Sequence, residues 1–273
     1  MTAIPTAPPV QPLAPGAAPL AILLDYDGTV AQTDVGDMVM AEHVTDDWEP
    51  IVAAYDEGRI GSRRTMEAEL ALLRATEAEL MATAAAQPHD PGVATLARRA
   101  EQVGIPVEIV SDGFGFYIPA ALASLGLSDL PVVAASTTFS GDRARIEFPN
   151  DHPTCFVCGT CKRQRVLAHQ AAGRAVVFVG DGESDRYAAG YADVVFAKRA
   201  LVPICVEAGW PFRRWTEFNE IDAWLAATLD AWRADPASLP RPTARPFFCG
   251  PEVWGEGREN PPPDSWPPGA PSR

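Results

Sequence analysis

Apolar residues gather into three short unbroken or nearly unbroken runs, Ala21-Ile-Leu-Leu24, Val107-Glu-Ile-Val110 and Ala175-Val-Val-Phe-Val179. Runs of this length without polar alternation predict strands buried on both faces, as in a parallel sheet. Between the first two the period changes. Residues 37 to 86 are rich in Ala, Glu, Leu, Met and Arg, with apolar spacings of three and four at Met66, Leu70, Leu73 and Leu80, which predicts helices. Thr76-Glu-Ala-Glu79 has the form of a capping box. Asp90-Pro91 opens a further helix, Asp at the N-cap and Pro at the first position, ending near Gly104. Beyond the second run strand and helix alternate. The pattern predicts a helix over 115–125, an extended pair Pro131 to Phe139 and Arg143 to Phe148 joined as a hairpin by Ser140-Gly-Asp142, and a helix over 160–172. The third run follows, then a helix over 184–190, a strand over 192–196 and helices to 233. Alternation of this kind argues an α/β fold, a parallel sheet with helices on both faces.

Composition divides the chain. The first twenty residues hold six prolines and no charged side chain, and residues 236 to 273 hold eleven more prolines. Residues 1–19 and 234–273 are therefore expected as disordered Pro-rich tails, although Phe247, Phe248, Trp254 and Trp266 could dock the second one. Residues 20–35 and 88–233 form the expected core, and 36–87 an all-helical module inserted after the first strand. A formal net charge of −14 repels nucleic acid and anionic lipid, and no apolar run is long enough to span a membrane. The absence of a secretory signal pattern at the N-terminus and the odd count of five cysteines make the cytoplasm the expected compartment. Oligomeric state is not legible.

Candidate chemistry sits where the strands end. Asp25 and Asp27 follow the first strand, and carboxylates so close repel unless a cation lies between them or one keeps its proton. Ser111-Asp112-Gly113 follows the second strand, and Gly180-Asp181-Gly182-Glu183-Ser184-Asp185 the third, with Lys162 between. In this order the four motifs resemble those of the haloacid-dehalogenase-like (HAD) hydrolases, over roughly residues 20 to 233. The resemblance implies a Rossmann-type core with a helical cap, and a Mg²⁺-dependent phosphatase acting through an aspartyl-phosphate. It implies Asp25 as nucleophile, Asp27 as general acid and base with its backbone carbonyl on the metal, Ser111 and Lys162 as phosphoryl ligands, and Asp181 and Asp185 on the metal side. Hydrogen bonds from Ser111 and the backbone near Asp112 and Gly113 would hold the phosphoryl oxygens. An oxygen-only set of Asp25, Asp27 and Asp181 suits Mg²⁺.

Within that family a helical cap after the first motif resembles the phosphoserine-phosphatase-like branch. Ser111-Asp-Gly-Phe114, Cys158-Gly-Thr-Cys-Lys162, Gly182-Glu-Ser-Asp185 and Val195-Phe-Ala-Lys198 are more similar to the phosphatases of methionine salvage, which act on a 2-hydroxy-3-keto-5-methylthiopentenyl phosphate. The expected partner is thus a small phosphorylated metabolite, with phosphoserine as the alternative. A non-catalytic binding protein on the same scaffold is the alternative of another class. Arg59 and Arg63, in Glu57-Gly-Arg-Ile-Gly-Ser-Arg63, resemble a substrate-facing loop of the cap; a charged helix–helix turn is the plainer reading. His152, Cys155, Cys158 and Cys161 have a spacing that could hold a structural Zn²⁺, or that packs a tight loop.

Overall fold

The computed structural model describes residues 3–153 and 155–240 of the 273; the aromatic residues of the C-terminal tail lie outside them. Six parallel strands form the main sheet: β1 (Leu20–Leu24), β2 (Val107–Val110), β3 (Val132–Val133), β6 (Ala175–Gly180), β7 (Val194–Ala197) and β8 (Arg213–Arg214). Their order is β3-β2-β1-β6-β7-β8. The chain builds outward from β1 to one side, then restarts at β6 and builds outward to the other. The point where the order reverses therefore lies between β1 and β6, and ligands of such sheets bind beyond the strand ends there.

Each apolar run serves two faces. Leu20, Ile22 and Leu24 of β1 pack with Leu96 of α5 (Gly92–Gln102) and with Phe218, Ile221 and Leu225 of α10 (Phe218–Ala234). Leu23, with Val176 and Phe178, faces Val166 of α7 (Lys162–Ala171) and Leu201 of α9 (Leu201–Glu207). Burial on both sides is why no polar residue interrupts the run. Asp90 ties one layer together: its carboxylate accepts from Gly92 N (2.8 Å) at the start of α5 and from Phe218 N (2.9 Å) at the start of α10.

The insertion is helical. It comprises α1 (Val35–His43), α2 (Glu49–Asp56), α3 (Ser62–Leu72) and α4 (Glu77–Ala85), the last opened by the Thr76–Glu79 capping box. It pairs α1 with α4 and α2 with α3, and α3 lies on β5 (Arg143–Glu147). β4 (Ser136–Ser140) and β5 form the hairpin, starting later than the sequence suggests because Val132 and Val133 join the edge of the main sheet. The remaining elements are α6 (Ile118–Ser124) and α8 (Arg186–Ala189). No described helix is long and apolar enough to cross a membrane.

The expectation of disorder over residues 1–19 is corrected for the described part. Ile4 is buried in the core, Ala7 N donates to Asn150 Oδ1 (2.7 Å), and Leu13 N donates to Ala172 O (3.0 Å). Arg165 donates to Pro8 O (2.9 Å) and Arg174 to Gln11 O (2.7 Å). Proline removes donors from a chain but leaves every carbonyl as an acceptor. Here buried arginines meet those carbonyls, and Glu108 on β2 holds Arg165 and His169 in turn. Composition records the prolines but not the partners on α7.

Candidate active site

The register sets the site. Leu24 lies opposite Val179 and Ile109, so Asp25 comes level with Gly180 and Val110, and Ser111 and Asp181 follow one residue further along at the ends of the two neighbouring strands. Asp25 N donates to Val179 O (2.9 Å) and Ser111 N to Val133 O (3.0 Å). The chain then turns sharply at Gly28, which has φ +70°. A Cβ there would stand 2.2 Å from Asp181 Oδ2, so only glycine lets the two loops approach.

Around Asp25 the side chains converge. Lys162, at the first position of α7 and 2% exposed, donates to Asp25 Oδ1 (2.5 Å) and to Asp185 Oδ1 (2.7 Å). The other oxygen of Asp185 accepts from Asp181 N (2.8 Å) and Gly182 N (2.9 Å). Asp181 accepts from the Thr29 hydroxyl and from Arg199 (both 3.2 Å). Donor atoms of Asp25, Asp181 and Asp185 all lie within 4.8 Å of one another, the group of this kind found among the described residues. Burial and the charge of Asp185 push the Asp25 carboxyl well above its usual range, against the pull of Lys162. Burial and Asp185 bring Asp181 to about 6. Burial by itself would lower Lys162, but Asp185 and Asp25 outweigh it and hold the ammonium charged. Three buried carboxylates against Lys162 and the more exposed Arg199 leave negative charge to be neutralised, and a hard cation with oxygen ligands fits this donor set.

Asp27 faces the other way. Its carboxylate accepts from Tyr117 OH (3.0 Å to each oxygen), Val35 N (3.1 Å) and Ser111 Oγ (3.4 Å). Burial, then Asp34, raises it well above the usual carboxylate range. Gly113 leaves room for it, since a Cβ there would meet Asp27 Oδ2 at 2.5 Å. Gly113 N donates to Ser111 Oγ (3.1 Å). Asp112 instead joins the module to the core: it accepts from Thr160 N (2.8 Å) and from the Ser62 hydroxyl at the start of α3.

Asp25, Asp27, Ser111, Asp112, Gly113, Tyr117 and Asp181 lie along one cavity of about 310 Å³ bounded on the far side by α1, α2 and α3, while Lys162 and Asp185 are buried next to Asp25 outside its lining. Arg59 and Arg63 are not among its lining residues. Arg59 is exposed and paired with Glu57, and Arg63 is paired with Asp151 and lies over the Phe148 ring. The substrate-facing expectation for both is thereby corrected: each is spent on a local partner. Glu69, Asp37, Met66 and Val52 face the cavity instead. His152, Cys155, Cys158 and Cys161 line a separate cavity of about 20 Å³. Their donor atoms do not meet at the 4.8 Å spacing of the aspartates, and the expected Zn²⁺ finds no converged ligand set there.

Tyr117, Arg199 and Glu69 carry no motif signal, because an isolated Tyr, Arg or Glu becomes specific only through its partner in space. The two acidic groups of the module also set a pH dependence. Glu69 is raised to about 8, chiefly by burial, and the more exposed Asp37 to about 7 by partial desolvation and the charge of Asp34. A carboxyl raised in the folded state favours folding while protonated, and that gain is lost as pH climbs through the folded value. In chelator, thermal unfolding followed by circular dichroism is expected to show Tm falling between pH 5 and 8.5, with a shallower fall in Glu69→Gln.

The fold and this arrangement of groups define a phosphoric monoester hydrolase built on a parallel α/β sheet. Residues 22–190 match the family model of haloacid dehalogenase-like hydrolases, and the chain belongs to that family. It is 24% identical over 206 residues to a 2-hydroxy-3-keto-5-methylthiopentenyl-1-phosphate phosphatase of Brevibacillus brevis, covering 74% of this chain and 93% of that one. A protein of the same name from Exiguobacterium sibiricum is 32% identical over 143 residues, 50% of this chain and 64% of that one. Among solved structures, a substrate-bound phosphoserine phosphatase superposes with TM-score 0.57 at 17% identity, over 75% of this chain and 97% of that one. A phospho-aspartyl intermediate analogue of phosphoserine phosphatase gives 0.56 at 20% identity, over 76% and 99%. At such identities these two likenesses speak for the fold.

Proposed function

We propose that the chain is a Mg²⁺-dependent phosphatase of a small metabolite whose leaving group is of the hydroxy-keto-methylthiopentenyl kind, and that Asp25 carries the phosphoryl group between two half-reactions. The observation that carries this reading is the buried junction of Asp25, Lys162, Asp185 and Asp181 at the head of the cavity, with Asp27 held apart on Tyr117. Asp25, the Asp27 carbonyl and Asp181 would hold the cation, and Asp185 would orient Lys162 and the Asp181 loop. Bound there, Mg²⁺ supplies the positive charge that lets a carboxylate approach a phosphate dianion.

The protein's own groups do the rest. Asp25 attacks phosphorus as the bond to the leaving oxygen breaks, and Lys162 and Ser111 hold the transferring oxygens. Asp27, whose buried setting favours its protonated form, gives a proton to the leaving alkoxide. It then takes one from the water that hydrolyses the aspartyl-phosphate. Residues 36–87 serve as a cap, locked to the core through Ser62 and Asp112, and exclude bulk water from the cavity. Met66 and Val52 offer an apolar wall that suits a thioether tail. The named relatives support the same substrate class. Phosphoserine fits less well, because no Lys, Arg or His among the described residues lines the cavity to pair its carboxylate. A purely binding role leaves the intact group around Asp25 without a purpose.

The test is phosphate release from a panel of phosphorylated metabolites with Mg²⁺ and with chelator. Release that requires Mg²⁺ and favours a keto-pentenyl phosphate over phosphoserine is expected. Equal rates in chelator would contradict the reading.

A further inference from the structure

Nine of the cavity's lining residues are Asp or Glu and none is Lys, Arg or His. Five of the nine, Asp25, Asp27, Asp112, Asp181 and Glu183, belong to the loops at the strand ends. The others lie in or beside the cap, where the leaving group must sit. Glu69 stands out among them. It lies on α3 one turn from Thr65 and Met66, which also line the cavity, it is 8% exposed, and among the described residues no donor or cation reaches its carboxyl. The groups that bear on its charge are Asp37 and Asp34, both acidic. A buried carboxyl without a partner, turned into a ligand cavity, is a group waiting for one. Its position relative to the phosphoryl end is fixed, because α3 begins at Ser62 and Ser62 is bonded to Asp112 beside Ser111.

We propose that Glu69, with Asp37, forms a subsite for a positively charged leaving group, so that the enzyme also hydrolyses phosphate monoesters of amino alcohols that carry no carboxylate. The inference rests on the phosphatase reading and extends its substrate class. An ammonium at this position returns Glu69 to its ionised form and supplies the counter-charge that the cap side lacks. A carboxylate in the same place meets only like charge. The chemistry is that already described: the P–O bond to the amino alcohol breaks, Asp27 protonates the departing oxygen, and water releases phosphate from Asp25.

The test uses esters of nearly equal size and different charge: phosphoethanolamine, n-propyl phosphate and phosphoglycolate, with phosphoserine as the ammonium ester that regains a carboxylate. The expected order of kcat/KM is phosphoethanolamine above propyl phosphate above phosphoglycolate, with about tenfold between neighbours and phosphoserine below phosphoethanolamine. In Glu69→Gln the ratio of phosphoethanolamine to propyl phosphate is expected to fall about tenfold, carried mainly by KM. Propyl phosphate or phosphoserine turned over as well as phosphoethanolamine by the full chain would overturn the inference and leave the phosphatase reading intact. An unchanged ratio in folded Glu69→Gln would also overturn it. No hydrolysis of any ester, in a preparation that also fails on the keto-pentenyl phosphate, would remove both.

Discussion

Asp25→Asn is expected to abolish turnover, with kcat falling by roughly 10⁴-fold or more, the scale seen when a covalent nucleophile is removed. An amide is nearly isosteric with the carboxylate but cannot attack phosphorus. The fold should survive the change. Asp25 shares a single buried lysine with Asp185 and lies beside Asp181, and burial already disfavours its ionised form. Replacing it by a neutral group relieves repulsion while Lys162 keeps Asp185. Tm within a few degrees of wild type, measured beside the lost activity, separates a chemical role from a structural one. A variant that retained wild-type turnover would refute the nucleophile assignment.

Lys162→Met is expected to fail differently, losing both activity and stability. Lys162 is 2% exposed and bonded to two carboxylates that are themselves buried. Taking away one partner of a buried ion pair costs on the order of 3–5 kcal/mol, because the remaining charge has no solvent. For a chain of this size that is a fall of roughly 6–20 °C in Tm. Loss of a preorganised charge at the transferring phosphoryl group removes a further ~10²–10³-fold in kcat. Mg²⁺ should recover part of the stability, since it also neutralises Asp25, but should not recover kcat. A Lys162→Met protein as stable as wild type in chelator would mean that the buried junction is not held as described.

Much of this site is legible in the amino-acid sequence, because strand and chemistry share one signal. Ala21 to Leu24 and Ala175 to Val179 are uninterrupted because both faces are buried, and the first polar residues beyond them are those that a parallel sheet presents at its ligand-binding edge. Lys162 stands out only by its place in the order of motifs. The cap side is harder to read. Arg59 and Arg63 attract notice as cations in an acidic chain, yet each is drawn off by a nearby carboxylate, while Glu69 resembles any surface glutamate until α3 is seen to turn it inward. The N-terminal prolines mislead for a related reason. A segment poor in donors cannot order itself, but it can be ordered by Arg165, Arg174 and Asn150, and those partners lie more than a hundred residues away. Cysteine spacing likewise records proximity along the chain, not convergence of the four donor groups.

The most direct test is to mix enzyme, Mg²⁺ and a hydrolysed phosphomonoester, quench in acid within a turnover, and map the phosphoryl adduct by mass spectrometry. An acyl-phosphate on the peptide holding Asp25, absent in Asp25→Asn and absent with chelator, is the predicted result. Turnover with no adduct on any carboxylate, or with the adduct on another residue, would contradict the central role given to Asp25.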